Sequence, residues 1–81
     1  MSAVYDHLVT TLTRKFDVPA DLVRPDATYD ELGLDSLAVM ELFLTLQEEW
    51  AVPLDDSEAV GTLTVRETAD LVEKLKAEAE A

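Results

Sequence analysis

Apolar residues recur at helical spacing in separate stretches of this chain, and no run alternates apolar with polar regularly enough to be a strand. Val4, Leu8, Leu12 and Phe16 come every fourth residue, with Val9 alongside. Ser2 can cap the start, so the first stretch is an amphipathic helix that should stop near Asp17, before Val18-Pro19. From Ser36 to about Ala51 the chain is rich in good helix formers, follows the favoured N-cap residue Asp35 and is ended by Pro53. Thr64-Val65-Arg66-Glu67 fits a capping box, in which Thr64 and Glu67 satisfy each other's backbone amides at a helix start. The helix it opens should bury Val65, Ala69, Val72 and Leu75 and fray into the Glu/Ala tail after Lys76. A short acidic stretch, Asp55 to Val60, supplies one or two more turns before Gly61, which would serve as a pivot. The expectation is an all-α four-helix bundle, three main helices and one short, with a long first loop.

That loop, Asp17 to Asp35, is punctuated by Pro19, Pro25 and Gly33. A connection so long without regular structure is usually functional or disordered. Leu22, Val23, Tyr29, Leu32 and Leu34 favour order, because they can tack the loop onto a core. With 81 residues, residues 1–81 should form one domain with little room for a deep enzymatic cleft.

Eighteen acidic residues against six basic ones give a formal charge of −12, which repels phosphate backbones and anionic headgroups and excludes nucleic acid and membrane surfaces as natural partners. Between Arg24 and Arg66 there is no lysine or arginine, so whatever docks on this middle section should be basic. Acidity that only keeps a small protein soluble is the alternative. Cysteine is absent, the residues from Met1 to Asp6 lack a basic or apolar leader, and no stretch approaches the roughly 20 apolar residues of a membrane span. A soluble, cytoplasmic chain, monomeric on its own, is expected.

The second helix carries two apolar faces. At 100° per residue Val39, Leu42, Phe43, Leu46 and Trp50 fall within one core-facing arc, while Leu37, Met40 and Leu44 form a second row nearly opposite. Glu41, Glu48 and Gln47 edge that second row. A bundle this small cannot easily bury both sides. Either the first loop folds over the outer row, or that row, with Asp35 at its head, is a partner surface of apolar centre and acidic rim.

Gly33-Leu34-Asp35-Ser36-Leu37 sets a hydroxyl at the first turn of this helix, where the end amides and the macrodipole favour an attached phosphodiester. A serine there is ordinarily a cap, but Asp35 already fills that role.

Asp35-Ser36-Leu37 resembles the attachment motif of the phosphopantetheine-dependent acyl carrier proteins. The resemblance runs from Leu32 to Leu42 and on to Gln47-Glu48-Glu49-Trp50, and with the long first loop and acidic second helix it covers essentially the whole chain. It implies that Ser36 anchors a covalent 4'-phosphopantetheine, donated from coenzyme A by a phosphopantetheinyl transferase. It implies a non-catalytic carrier presenting acyl intermediates to a ketosynthase, an acyltransferase and other synthase enzymes. Ala38-Val39-Met40-Glu41 is more similar to carriers of discrete polyketide synthases than to those of fatty-acid synthesis, which tend to have an acid at the position of Ala38. A carrier for fatty-acid synthesis is the alternative, and an unmodified helical adaptor a remoter one. An acyl chain, if enclosed, would lie among Val39, Leu46, Val60 and Leu63, the last two in the least firmly packed segment.

Rival chemistries find less support. A hydrolase using Ser36 needs a base, the only histidine is His7, and the Gly-x-Ser-x-Gly elbow is absent. His7 lies beside Asp6, off the Val4/Leu8/Leu12 stripe, and should be an exposed helix residue. No segment has the Asp-x-Asp-x-Asp-Gly spacing of a calcium loop, and Glu48-Glu49 and Asp55-Asp56 are solvated neighbours rather than a metal-binding cluster.

Overall fold

The computed structural model describes residues 3–80. Helix α1 spans Ala3–Lys15, α2 Ser36–Trp50 and α3 Val65–Glu80, with single 3-10 turns at Ala20–Leu22 and Asp56–Glu58. Three long helices and the short Asp56–Glu58 turn make the expected all-α bundle, and among the described residues the sole β-type pairing is an isolated bridge between Thr28 and Thr64. Ser2, expected as the cap of α1, lies outside the described residues.

The core collects one face from each helix: Val4, Leu8 and Leu12 of α1, Val39, Leu42, Phe43 and Leu46 of α2, and Val65, Ala69 and Val72 of α3. Each large aliphatic or aromatic side chain so buried contributes about 1.5–3 kcal/mol, enough for these stripes to dictate how the helices face one another. Phe16, Trp50 and Leu75 pack against this cluster from its margins, partly buried.

Helices α1 and α2 both end in left-handed backbone without glycine. At the end of α1 the Val18 amide donates to the Leu12 carbonyl across Asp17, whose φ is 56°, and Val18 and Leu12 are both buried. Asp17 is thus the left-handed residue that ends the helix between two buried apolar side chains, with a closing bond one residue longer than the six-to-one bond of a Schellman motif. The stop of α2 is Ala51, at φ 53°, rather than Pro53, which comes two residues later. At its other end α3 does not fray after Lys76 but stays helical to Glu80, since its tail is built from good helix formers and the Lys76 ammonium rests 5.1 Å from the Trp50 ring centroid.

The long loop is ordered, and α3 orders it. The first two amides of α3, Val65 and Arg66, have no intrahelical acceptor, and they donate to the loop carbonyls of Ala27 (3.0 Å) and Pro25 (2.9 Å). Glu67 and Thr64 complete the helix start as the expected capping box, with Glu67 N bonded to Thr64 Oγ1 and Thr64 N to Glu67 Oε1. The loop donates in return, Tyr29 N to Leu63 O and Asp30 N to Gly61 O, and Arg66 pairs with Asp26 at 3.0 Å. Tyr29 is fully buried; its hydroxyl donates to Thr68 Oγ1, which donates to Thr64 O at 3.1 Å. Leu32 is buried, Val23 and Leu34 are partly buried, but Leu22 is 45% exposed: the turn that follows Pro19 leaves it in solvent instead of tacking it to the core.

Gly61, expected as a pivot, lies against the first loop. The Asp30 carboxylate occupies the space that a β-carbon at position 61 would need, and the Gly61 carbonyl accepts from Asp30 N. A larger residue there would require the exposed Asp30 side chain to swing aside.

Burial raises the Tyr29 pKa well above its ordinary value of about 10, with the Thr68 hydrogen bond opposing in part. A folded-state pKa raised above the unfolded one gives stability that is intact below about pH 10 and declines as pH rises through the alkaline range toward the folded value. Tyr29→Phe should therefore lower stability by about 1 kcal/mol at neutral pH, through the lost hydrogen bond. In alkaline thermal melts the gap between the two proteins should narrow as pH rises above about 10.

Candidate functional site

The start of α2 is prepared by the loop that α3 holds. Leu34 N donates to Tyr29 O and Gly33 N to Asp30 O, and Gly33 takes φ +80°, a turn geometry that disfavours other residues. The chain then extends through Asp35, whose Oδ1 accepts from Ala38 N at 2.8 Å and whose carbonyl accepts from Val39 N. Ser36 is thus the first helical residue, exposed, and its hydroxyl makes no hydrogen bond to any described residue. With the cap supplied by Asp35, the Ser36 oxygen stands at the positive end of the helix and is not required for folding. An exposed hydroxyl beside unspent helix-end amides is suited to carry a phosphodiester.

The same arrangement is unsuited to hydrolysis. His7 is half-buried rather than exposed: its Nε2 lies 3.1 Å from Glu49 Oε1 and its ring meets Trp50 edge-on, 5.2 Å between centroids. Lys15 approaches the other Glu49 oxygen at 3.7 Å. This cluster sits at the C-terminal end of α2, about 20 Å along the helix from Ser36 at 1.5 Å per residue. The His7 imidazole is therefore out of reach of the hydroxyl. Among the described residues there is no group of three or more His, Asp or Glu able to hold a metal, and no helix is long and apolar enough to cross a membrane.

The outer face of α2 is bare. Leu37, Met40 and Leu44 are 63%, 42% and 52% exposed, while Val39, Leu42, Phe43 and Leu46 on the opposite side are fully buried. Glu41 and Glu48 are exposed beside the apolar row and Gln47 is half-buried at its edge. The first loop does not cover this row, because its backbone is committed to α3. Asp35, Leu37, Met40, Glu41, Leu44, Gln47 and Glu48 therefore lie along one helix, with Ser36 at its head.

Of the four residues expected to enclose an acyl chain, Leu63 packs, partly buried, against the core that contains Val39 and Leu46. Val39 and Leu46 are sealed in the core, whereas Val60 and Leu63 line an open groove of about 520 Å³ between the Asp56–Glu58 turn and α3. Sequence reasoning missed the rest of that groove: Leu71 as apolar floor, with Glu58, Glu67, Asp70 and Lys74 around it. Leu71 lies outside the Val65/Ala69/Val72 stripe, and that offset was the available signal.

Met40→Asp should leave the helical circular-dichroism spectrum unchanged and shift stability by no more than about 0.5 kcal/mol, as for a surface substitution. Val39→Asp, one residue away, should unfold the domain in the same measurement, because it buries an unpaired charge.

Known proteins resemble this chain along most of its length. The family model described as a phosphopantetheine attachment site matches residues 6–72. The chain is 31% identical over 75 residues to the acyl carrier protein of Buchnera aphidicola subsp. Acyrthosiphon pisum, covering 91% of this chain and 94% of that protein. It is 39% identical over 56 residues to the acyl carrier protein of Nitratidesulfovibrio vulgaris, covering 68% and 74%. Over 71 residues it is 31% identical to chloroplastic acyl carrier protein 1 of Spinacia oleracea, covering 86% of this chain and 51% of that protein.

Proposed function

The chain belongs to the acyl carrier protein family, whose covalent prosthetic group is 4'-phosphopantetheine, and from that premise we propose that Ser36 is the residue that carries it. The observation that carries this reading is the division of labour at the head of α2: Asp35 caps the helix and Ser36, exposed and unbonded, is left for esterification. The group, when attached, supplies a terminal thiol that holds an acyl chain as a thioester. The chain's own residues do the rest. The first amides of α2 would hold the phosphodiester, and the pinned loop would fix where the arm departs.

The outer face of α2 is the presentation surface. Leu37, Met40 and Leu44 form its apolar centre, and Asp35, Glu41, Gln47 and Glu48 its polar edge. A phosphopantetheinyl transferase using coenzyme A, a ketosynthase and an acyltransferase are the partners, each meeting this acidic face with basic residues. The domain performs no catalysis of its own; it works as a cytoplasmic, monomeric shuttle. Ala38-Val39-Met40-Glu41 after the serine favours a discrete polyketide synthase as the setting, with fatty-acid synthesis as the second reading.

Incubated with coenzyme A and a promiscuous transferase, the wild type should gain one phosphopantetheinyl unit by intact mass, and Ser36→Ala none. A modified alanine variant would move the anchor elsewhere. Glu41→Lys and Glu48→Lys should each slow loading or elongation severalfold with the helical spectrum intact, and added salt should weaken the wild-type interaction. Salt-independent kinetics would remove electrostatic steering from the account.

A further inference from the structure

We propose that Met40 is a reversible oxidation site, at which a peroxide turns the centre of the α2 presentation face from apolar to polar and so weakens docking. The proposal rests on the reading that this face receives the transferase and the synthase enzymes, and it adds a regulation to that face.

Placement singles out Met40. Leu37 lies three residues before it and Leu44 four after, the spacing that sets side chains next to one another along a helix, so the thioether stands in the middle of the apolar row. Met40 is 42% exposed, whereas its neighbour Val39 and the core residues Leu42 and Phe43 are fully buried. An oxidant therefore reaches the sulfur without any opening of the bundle, and an oxygen added there meets solvent rather than the core. The chain has no cysteine and two methionines, Met1 and Met40, so Met40 is the sole sulfur of the presentation face. Glu41 and Glu48 beside the row do not repel hydrogen peroxide, which is uncharged.

The chemistry is balanced and reversible. A lone pair of the Met40 sulfur attacks one oxygen of hydrogen peroxide: the sulfur–oxygen bond forms and the oxygen–oxygen bond breaks. The departing hydroxide takes the proton of the transferred oxygen and leaves as water, so the thioether is oxidised to a sulfoxide and the peroxide is reduced. A thiol-dependent methionine sulfoxide reductase reverses the change, the oxygen leaving as water while two thiols become a disulfide. In the free chain the sulfoxide oxygen is hydrated, but a partner that closes an apolar contact over it must strip that water away. Leu37 and Leu44 offer the oxygen no donor, and the ionised carboxylates of Glu41 and Glu48 only accept.

The test treats the apo chain with hydrogen peroxide, maps the added oxygen by peptide mass, and measures loading by a promiscuous transferase with coenzyme A over a range of chain concentrations. Met40 should gain one oxygen with the helical circular-dichroism spectrum unchanged. The KM for the chain should rise about tenfold with kcat held, a change equivalent to about 1.4 kcal/mol and within the cost of a polar group left unpaired in an apolar contact. Methionine sulfoxide reductases for both sulfoxide epimers, supplied with a dithiol, should restore the untreated KM. Met40→Leu, compared only with itself, should show the same KM before and after treatment, although Met1 and Trp50 are still there to be oxidised. An unoxidised Met40, a loss of helix on oxidation, an unchanged or lowered KM, or an equal rise in Met40→Leu would overturn the proposal. An untreated Met40→Asp that kept the wild-type KM would instead remove the presentation-face reading beneath it; an impaired Met40→Asp beside an unimpaired sulfoxide would strike the oxidation site alone.

Discussion

The fold turns on two amides. Every helix start leaves donors without partners, and at α3 the donors of Val65 and Arg66 are taken by the carbonyls of Ala27 and Pro25, more than thirty-five residues earlier in the chain. This exchange fastens an otherwise irregular loop to the last helix, and the buried Tyr29–Thr68 pair adds a side-chain bolt behind it. An unsatisfied buried amide would cost about 1–3 kcal/mol, so neither the loop nor the helix start is stable in this geometry without the other.

What the loop does there decides what α2 can do. A loop committed to α3 cannot also lie over Leu37, Met40 and Leu44, and the helix is left with one face in the core and one in solvent. The same loop delivers Asp35 in extended backbone to cap α2, which frees the next hydroxyl. Ser36, the bare face of α2 and the groove are then arranged around one segment. At the far end of α2 the acids Glu48 and Glu49 oppose the helix dipole with no basic residue in the last turn, and the compensating groups come from other helices, His7 and Lys15 of α1 beside Glu49 and Lys76 of α3 over Trp50.

Local physics was legible in the sequence. The period of Val4, Leu8 and Leu12, the cap at Asp35, the Thr64–Glu67 box and the two faces of α2 all depend on residues within a turn or two of one another, and each stands in the structure as expected. Long-range ties were not. Thr28-Tyr29-Asp30-Glu31 repeats the Thr-x-x-Glu pattern of the helix start, and Glu31 accepts from the Thr28 amide and hydroxyl, which holds its pKa below the usual value. No helix follows it, so the pattern had no periodic context to draw notice. Thr28 then bridges to Thr64, joining the two motifs. The outward turn of Leu22, the close approach of Asp30 to Gly61, the contact of His7 with Glu49 and the helical tail beyond Lys76 are likewise set by neighbours distant in sequence or by backbone geometry that composition does not encode. The groove was half visible, because Val60 and Leu63 belong to one segment and Leu71 and Lys74 to another.

Native-state amide hydrogen exchange tests the pinning of the loop to α3 most directly, since the amides of Tyr29, Asp30, Val65 and Arg66 are the donors that make it. The account predicts that Tyr29 and Val65 exchange about as slowly as core amides of α2 such as Phe43, opening only with global unfolding. Exchange of these two at rates typical of an unstructured loop, while α2 stays protected, would contradict it.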